Sequence, residues 1–258
     1  MKLKIDVQLD FQLHNPCDLL LQIEVAALPD QTVTRRVVNY SGVEERTRVA
    51  AGEGVGERVW LHGLQRLGCH YSSTVELNRP QVRLEGLAQT PLAELPGDVT
   101  KYLFASRYCP IHGFEEFMAS EFAGLKGGDL IAAMSDWLQH NIGYLAGSSH
   151  EFTTAPESLE KRQGVCRDYA HMLIAMARSV GIPARFVSVY SPDVTPMDFH
   201  AVAELFLDGG WHLVDATGMA QSDSMAIIGL GRDATDVSFL TSFGTVQLNR
   251  MNVGVSAQ

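Results

Sequence analysis

The chain has 258 residues, nearly half of them apolar, enough to bury the core of one large domain or two modest ones. Its formal net charge of −10, with both signs mixed along the sequence, excludes the clustered Lys and Arg that a nucleic-acid groove needs. No apolar run approaches the length of a membrane span, so no membrane partner is expected.

At the N-terminus Leu3, Ile5, Val7, Leu9, Phe11 and Leu13 alternate with Lys4, Asp6, Gln8, Asp10 and Gln12, which is the period of an amphipathic strand and not of an export signal. Further strands are predicted over 19–26, 32–38, 57–62 and 69–77, broken by Gly, Pro and Asn. Residues 1–95 are therefore expected to form a small all-β domain, a sandwich or barrel, with 91–97 as the linker to a second domain over 96–258. In that second part, 113–144 carries helical patterning, with Leu130, Ile131, Met134, Trp137 and Leu138 on one face, and Pro156 opens a short helix leading to Gly164. Cys17, Cys69, Cys109 and Cys166 show no CxxC spacing and read as reduced thiols, so the expected location is cytoplasmic.

From Cys166 onward, Tyr169, Met172, Leu173, Met176, Ala177 and Val180 recur at three-and-four spacing and predict a helix. Ala170, Ile174 and Ala175 fill other faces, so the helix is expected to be buried nearly all round. Gly181 supplies a left-handed end residue, Pro183 cannot continue the helix, and Gly164 lets the chain turn sharply into it. Cys166 thus falls at a helix N-terminus, where unpaired N–H groups and the dipole favour a thiolate. The Cys166 N–H can also donate to an oxyanion there.

A strand is predicted over Ala184–Tyr190, then a proline-bearing loop over 191–198, then two apolar strands separated by Leu207-Asp208-Gly209-Gly210. If Asp208-Gly209 is a two-residue hairpin turn, Leu207 pairs with Gly210, Val202 lies opposite Asp215, and His200 lies opposite Thr217. His200 and Asp215 then share a face as diagonal neighbours about 7–8 Å apart at the backbone, within reach of an imidazole–carboxylate hydrogen bond. A turn on Gly209-Gly210 would separate them further. Thiol, imidazole and carboxylate in this order are the components of a thiolate nucleophile, its base and the base's orienter. Beyond the turn, 226–232 reads as a glycine-bearing loop and 237–248 as returning strands.

Four blocks together resemble the transglutaminase-like superfamily, a branch of the papain-like thiol enzymes. They are Gly164-Val165-Cys166-Arg167-Asp168-Tyr169-Ala170-His171, Ser179-Val180-Gly181-Ile182-Pro183-Ala184-Arg185-Phe186-Val187, His200-Ala201-Val202-Ala203-Glu204 and Trp211-His212-Leu213-Val214-Asp215-Ala216-Thr217. The likeness spans about residues 128–218, and the segment from Tyr102 to Cys109 is similar to the one that joins a β-rich N-terminal region to the core in bacterial members. The resemblance implies an α+β fold in which the nucleophile helix packs on an antiparallel sheet. It implies Cys166 as nucleophile, His200 as general base and acid, and Asp215 as orienter. By position Tyr144 resembles the aromatic that helps form the oxyanion hole in animal transglutaminases, which carry a tryptophan there, and Gln163 is a second candidate donor. Unlike those enzymes, the chain has no Asp-x-Asp-x-Asp-Gly calcium loop.

The expected activity is thiol-dependent acyl transfer on a peptide or carboxamide bond through a thioester, resolved by water, with a peptide or protein as substrate and no cofactor. The alternatives are a cross-linking transglutaminase, in which an amine resolves the thioester, and a catalytically silent module whose N-terminal region binds a protein partner. Among the other polar residues, Cys109 and His112 are only two ligands and make no metal site. His171 points away from the thiol, His212 alternates to the face opposite Asp215, and Glu204 is a candidate for supporting His200 on its own face. Asp168 suits the dipole of the first helical turn, and the segment 229–232 lacks a nucleotide-binding fingerprint.

Overall fold

In the computed structural model, which describes residues 1–81 and 83–258, the N-terminal alternation makes a one-sided strand. β1 (Lys2–Leu13) buries Leu3, Ile5, Val7, Leu9, Phe11 and Leu13 on one face. β2 (Cys17–Leu21), β3 (Gln31–Ala50) and β4 (Glu57–Leu77) follow. β3 and β4 pair as one long hairpin where the sequence predicts shorter strands over 32–38, 57–62 and 69–77. Glycines that suggest breaks are instead places of close approach. A Cβ on Gly42 would stand 1.9 Å from the Arg66 carbonyl oxygen, where the register shifts between Ser41 and Val43.

α1 (Gly97–Thr100) and α2 (Glu115–Glu121) are short, and α3 (Gly127–Asn141) buries Leu130, Ile131, Met134 and Leu138 with Trp137 at the border of the core. β5 (Gly143–Tyr144) leads to α4 (Ala155–Lys161), whose first turn is fixed by Glu157 accepting the Thr154 N–H at 2.7 Å. β6 (Gln163–Gly164) pairs in parallel with β5 and opens directly into α5 (Cys166–Ser179). α5 is buried from Asp168 to Arg178 and is closed by Gly181 at φ +77°, as its apolar spacing and end signals predict.

The remaining strands are β7 (Ala184–Tyr190), β8 (His200–Leu207), β9 (Gly210–Val214), β10 (Ala226–Gly231), β11 (Leu240–Ser242) and β12 (Val246–Ala257). A sheet ordered β10-β7-β8-β9 carries α5 on one face, where Phe186, Ala203, Leu205 and Val214 pack with Leu173 and Ala177. Val187, Val189, Val202 and Leu230 form a cluster on its other face. β10 replaces the loop expected over 226–232. Its glycines sit inside a buried strand because neighbours crowd them, with Gln22 Nε2 only 2.0 Å from where a Gly229 Cβ would be.

The expected division at residue 95 is corrected by the C-terminus. β12 pairs with β1 from Leu3↔Ala257 to Leu13↔Val246, and β11 pairs with β2, so the chain returns to the sheet in which it began. Residues 1–95 are therefore not an all-β unit by themselves; the strands belong to one six-stranded antiparallel sheet that includes both ends of the chain. Its apolar face shares a cluster with Tyr190, Ala226 and Ile228, and the Tyr190 hydroxyl donates to the Ile23 carbonyl at 2.7 Å. The chain is α+β, with its helices gathered between the two sheets' segments in sequence. No helix among the described residues is long and apolar enough to cross a membrane.

Candidate active site

Cys166 is the first residue of α5 and is half-buried, whereas Cys17, Cys69 and Cys109 are buried. Burial pushes the Cys69 and Cys109 thiols up to about 12, which leaves them unreactive. The turn into α5 is braced by Asp168, whose Oδ2 accepts the Val165 N–H at 2.9 Å and the Ser149 hydroxyl at 2.5 Å. Arg167 reaches the same loop, donating from Nη2 to the His150 carbonyl at 2.8 Å and to Asp168 Oδ1 at 3.2 Å. Asp168 therefore does more than answer the helix dipole. It caps the nucleophile helix and ties down the segment that follows β5, a role signalled by an acidic residue at the third helical position.

The hairpin between β8 and β9 turns on Asp208 (φ +49°) and Gly209 (φ +74°), with Leu207↔Gly210 and Ala203↔Val214 paired. This is the register that brings His200 and Asp215 together. His200 Nε2 and Asp215 Oδ2 are 2.8 Å apart, with both side chains buried. Asp215 is further fixed at Oδ1 by the Thr217 N–H (2.9 Å) and hydroxyl (2.7 Å), and at Oδ2 by the Ala220 N–H (2.9 Å). Burial opposes its charge, but His200 and Thr217 together hold its carboxyl below the usual range. The Thr217 contribution is absent from the sequence reading, although an Asp followed two residues later by Thr is an Asx-turn signal.

Burial also opposes a charge on His200, yet the Asp215 hydrogen bond and then the Cys166 thiol more than offset it and raise its pKa to about 10. With Nε2 engaged by Asp215, the buried Nδ1 has no hydrogen-bond partner among the described residues, while the Cys166 thiol is near enough to raise the pKa of the ring. Cys166, His200 and Asp215 are thus brought into one neighbourhood by the start of α5, the start of β8 and the end of β9.

The two candidate oxyanion donors part company. Tyr144 pairs with Gly164, and its hydroxyl lies beside the Cys166 thiol and N–H; burial and the thiol's charge push its pKa up. Gln163 pairs with Gly143, so the pleat directs its side chain to the face opposite Tyr144. Glu204 does not support His200. It pairs with Arg185 at 2.6 Å further along the sheet. His212 bonds the Leu207 carbonyl at 3.1 Å, and His171 is stacked on Tyr108 and accepts the Ala234 N–H. Cys109 is buried and His112 exposed. One residue that the sequence reading passed over is Asp198, half-buried at the end of the loop before β8, whose charge is felt by both Tyr144 and His200. A thiol, a cationic imidazole and two donors around one point are equipped to attack a carbonyl and stabilise the resulting oxyanion.

The sequence model of the transglutaminase-like superfamily core matches residues 120–216. The crystal structure of a Cytophaga hutchinsonii protein, assigned provisionally as a cysteine protease, is similar with a TM-score of 0.94 and 28% sequence identity, over 99% of this chain and 90% of that one. The uncharacterized protein ML0607 of Mycobacterium leprae is 27% identical over 116 residues, which span 42% of this chain and 42% of that protein's length.

Proposed function

With a transglutaminase-like core over residues 120–216 as the premise, we propose that the chain is a thiol-dependent acyl-transfer enzyme that opens a peptide or carboxamide bond and passes the acyl group to water. One observation carries this reading: His200 is held at Nε2 by Asp215 at 2.8 Å, with the Cys166 thiol at the start of α5 near enough to raise the pKa of the ring. Hydrolysis is preferred because the similar C. hutchinsonii protein is assigned provisionally to the cysteine proteases.

His200 takes the proton of the Cys166 thiol, leaving a thiolate beside an imidazolium. The Cys166 Sγ attacks the carbonyl carbon, and charge moves to the carbonyl oxygen, where the Cys166 N–H and the Tyr144 hydroxyl donate. Collapse breaks the C–N bond, the His200 Nδ1 proton goes to the leaving nitrogen, and a thioester remains on Cys166. Water then gives a proton to Nδ1, adds to the thioester carbon and displaces the thiolate, releasing a carboxylic acid. Asp215 stays ionised and keeps the ring oriented throughout.

A second reading lets an amine resolve the same thioester, as in a cross-linking transglutaminase. Asp198 favours it, since a half-buried carboxylate beside Tyr144 and His200 would draw in an ammonium group. Incubating the protein with casein and dansylcadaverine separates the two: hydrolysis yields new carboxylates without label, and transfer incorporates the dansyl group. Cys166→Ala sets the background. If neither product exceeds it, and iodoacetamide labels Cys166 at about pH 6 no faster in the parent than in His200→Ala, the enzymatic reading fails and a protein-binding role is left.

A further inference from the structure

The six-stranded sheet ends on β3 along one side and on β11 and β12 along the other, and the two margins are built differently. Among the described residues β3 pairs only with β4, and β12 only with β1. β3 carries Arg35, Arg36, Glu44, Glu45, Arg46 and Arg48, and its register against β4 shifts three times. Charges and bulges of this kind keep a strand edge from pairing with another chain. The C-terminal margin lacks most of that protection. Arg250 is the one charged residue from Leu240 to Ala257, and no proline interrupts the segment. After one shift between Leu248 and Arg250, β12 pairs evenly from Arg250 to Ala257.

The apolar core also runs out to this margin. Val253 and Val255 are buried opposite Val7 and Ile5, but Met251, on the same face and opposite the buried Leu9, is 37% exposed. β12 therefore presents an unpaired backbone edge beside an unfinished apolar row. The neighbour that completes both is an extended strand whose own alternation continues that row. β12 itself meets this description. An antiparallel second copy, turned about a two-fold axis at Val253, sets Met251 of each chain opposite Val255 of the other, Asn252 opposite Gly254 and Arg250 opposite Ser256. Apolar then faces apolar, and no charge opposes a like charge. A foreign peptide would be selected by pockets or charges flanking the edge, and Arg250 is the lone charge on it. We propose that β12 is the interface of a homodimer, in which it pairs with β12 of a second copy about a two-fold axis at Val253 and joins the two sheets into one. The proposal draws on no residue of the candidate active site and is independent of the activity proposed above.

Sedimentation equilibrium of the full chain from about 1 to 100 µM tests it. The parent approaches twice the chain mass at the upper end of the range. Met251→Lys stays at the chain mass there, because a lysine on the inner face of the edge strand keeps its charge in water only while the edge is open. Arg35→Ala, on the β3 margin, dimerises as the parent does. Circular dichroism and Tm report whether each variant is folded. Hydrogen exchange of the parent needs no variant: the β12 amides that point away from β1 slow by at least about tenfold from the lowest to the highest concentration. A parent that keeps the chain mass at the highest concentration overturns the proposal. A dimer whose β12 amides exchange equally fast throughout does so too, since another surface then holds it, and so does a folded Met251→Lys chain that dimerises like the parent.

Discussion

Tyr144 and Gln163 are both candidate donors in the sequence and stand apart in the fold, because one-residue alternation on β5 and β6 turns them to opposite faces. Removing the Tyr144 hydroxyl with Tyr144→Phe should lower kcat by about 10²–10³ and leave KM almost unchanged, since the bond is made to the oxyanion and not to the ground-state carbonyl. Gln163→Ala should leave kcat close to the parent value. Steady-state kinetics on one amide substrate reads both, and equal losses in the two variants would sink the assignment. His200 makes a second residue-scale prediction. Its folded pKa of about 10 lies above the ordinary 6.5, so the stability that it contributes is complete below about pH 6.5 and is lost as pH rises through about 10. The Tm of the parent should fall across that window, and the fall should be smaller in His200→Gln. Asp215 works in the opposite direction, its depressed carboxyl giving stability that is lost only in acid.

Among the elements, α5 was the most legible, because every signal that makes it is local: apolar residues at three-and-four spacing, Gly181 and Pro183 at its end, Gly164 at its start. The β8–β9 hairpin was legible for the same reason, its register following from Asp208-Gly209 alone. Asp168 was only half legible, since its position in the first turn could be read but its bond to Ser149 joins segments distant in sequence. Gly164 is where the local and the distant meet. A Cβ there would stand 2.7 Å from Asp168 Cβ, and Asp168 cannot move without releasing Val165 and Ser149. Gly164→Ala should therefore destabilise the protein by about 1–3 kcal/mol in urea denaturation and slow Cys166 alkylation. An alanine variant with parent stability and parent alkylation rate would show that the cap is not under this constraint.

For the whole molecule, the strands that sequence reasoning misplaced are those whose partners are remote. β10 carries glycines that read as a loop until Gln22 and Asp236 are packed against them, and the returning strands expected over 237–248 stop short of β12, whose pairing with β1 runs on to Ala257. The consequence is energetic as well as topological. Both ends of the chain close one sheet, and that sheet shares an apolar cluster with Tyr190, Ala226 and Ile228 of the strands beside the candidate active site. Two independent domains would unfold in two steps. A shared cluster and a sheet closed by the C-terminus instead couple them, so tryptophan fluorescence and Cys166 accessibility should report one urea transition at the same midpoint. Deleting residues 246–258 strips β1 of one of its two partners, leaves it as a bare sheet edge and removes the buried Val253 and Val255 from the core. The truncated chain should lose stability at Cys166 as much as in the sheet, and should aggregate where the parent does not. Retention of the parent Cys166 midpoint in that variant would mean that the two sheets stand alone despite the core they share.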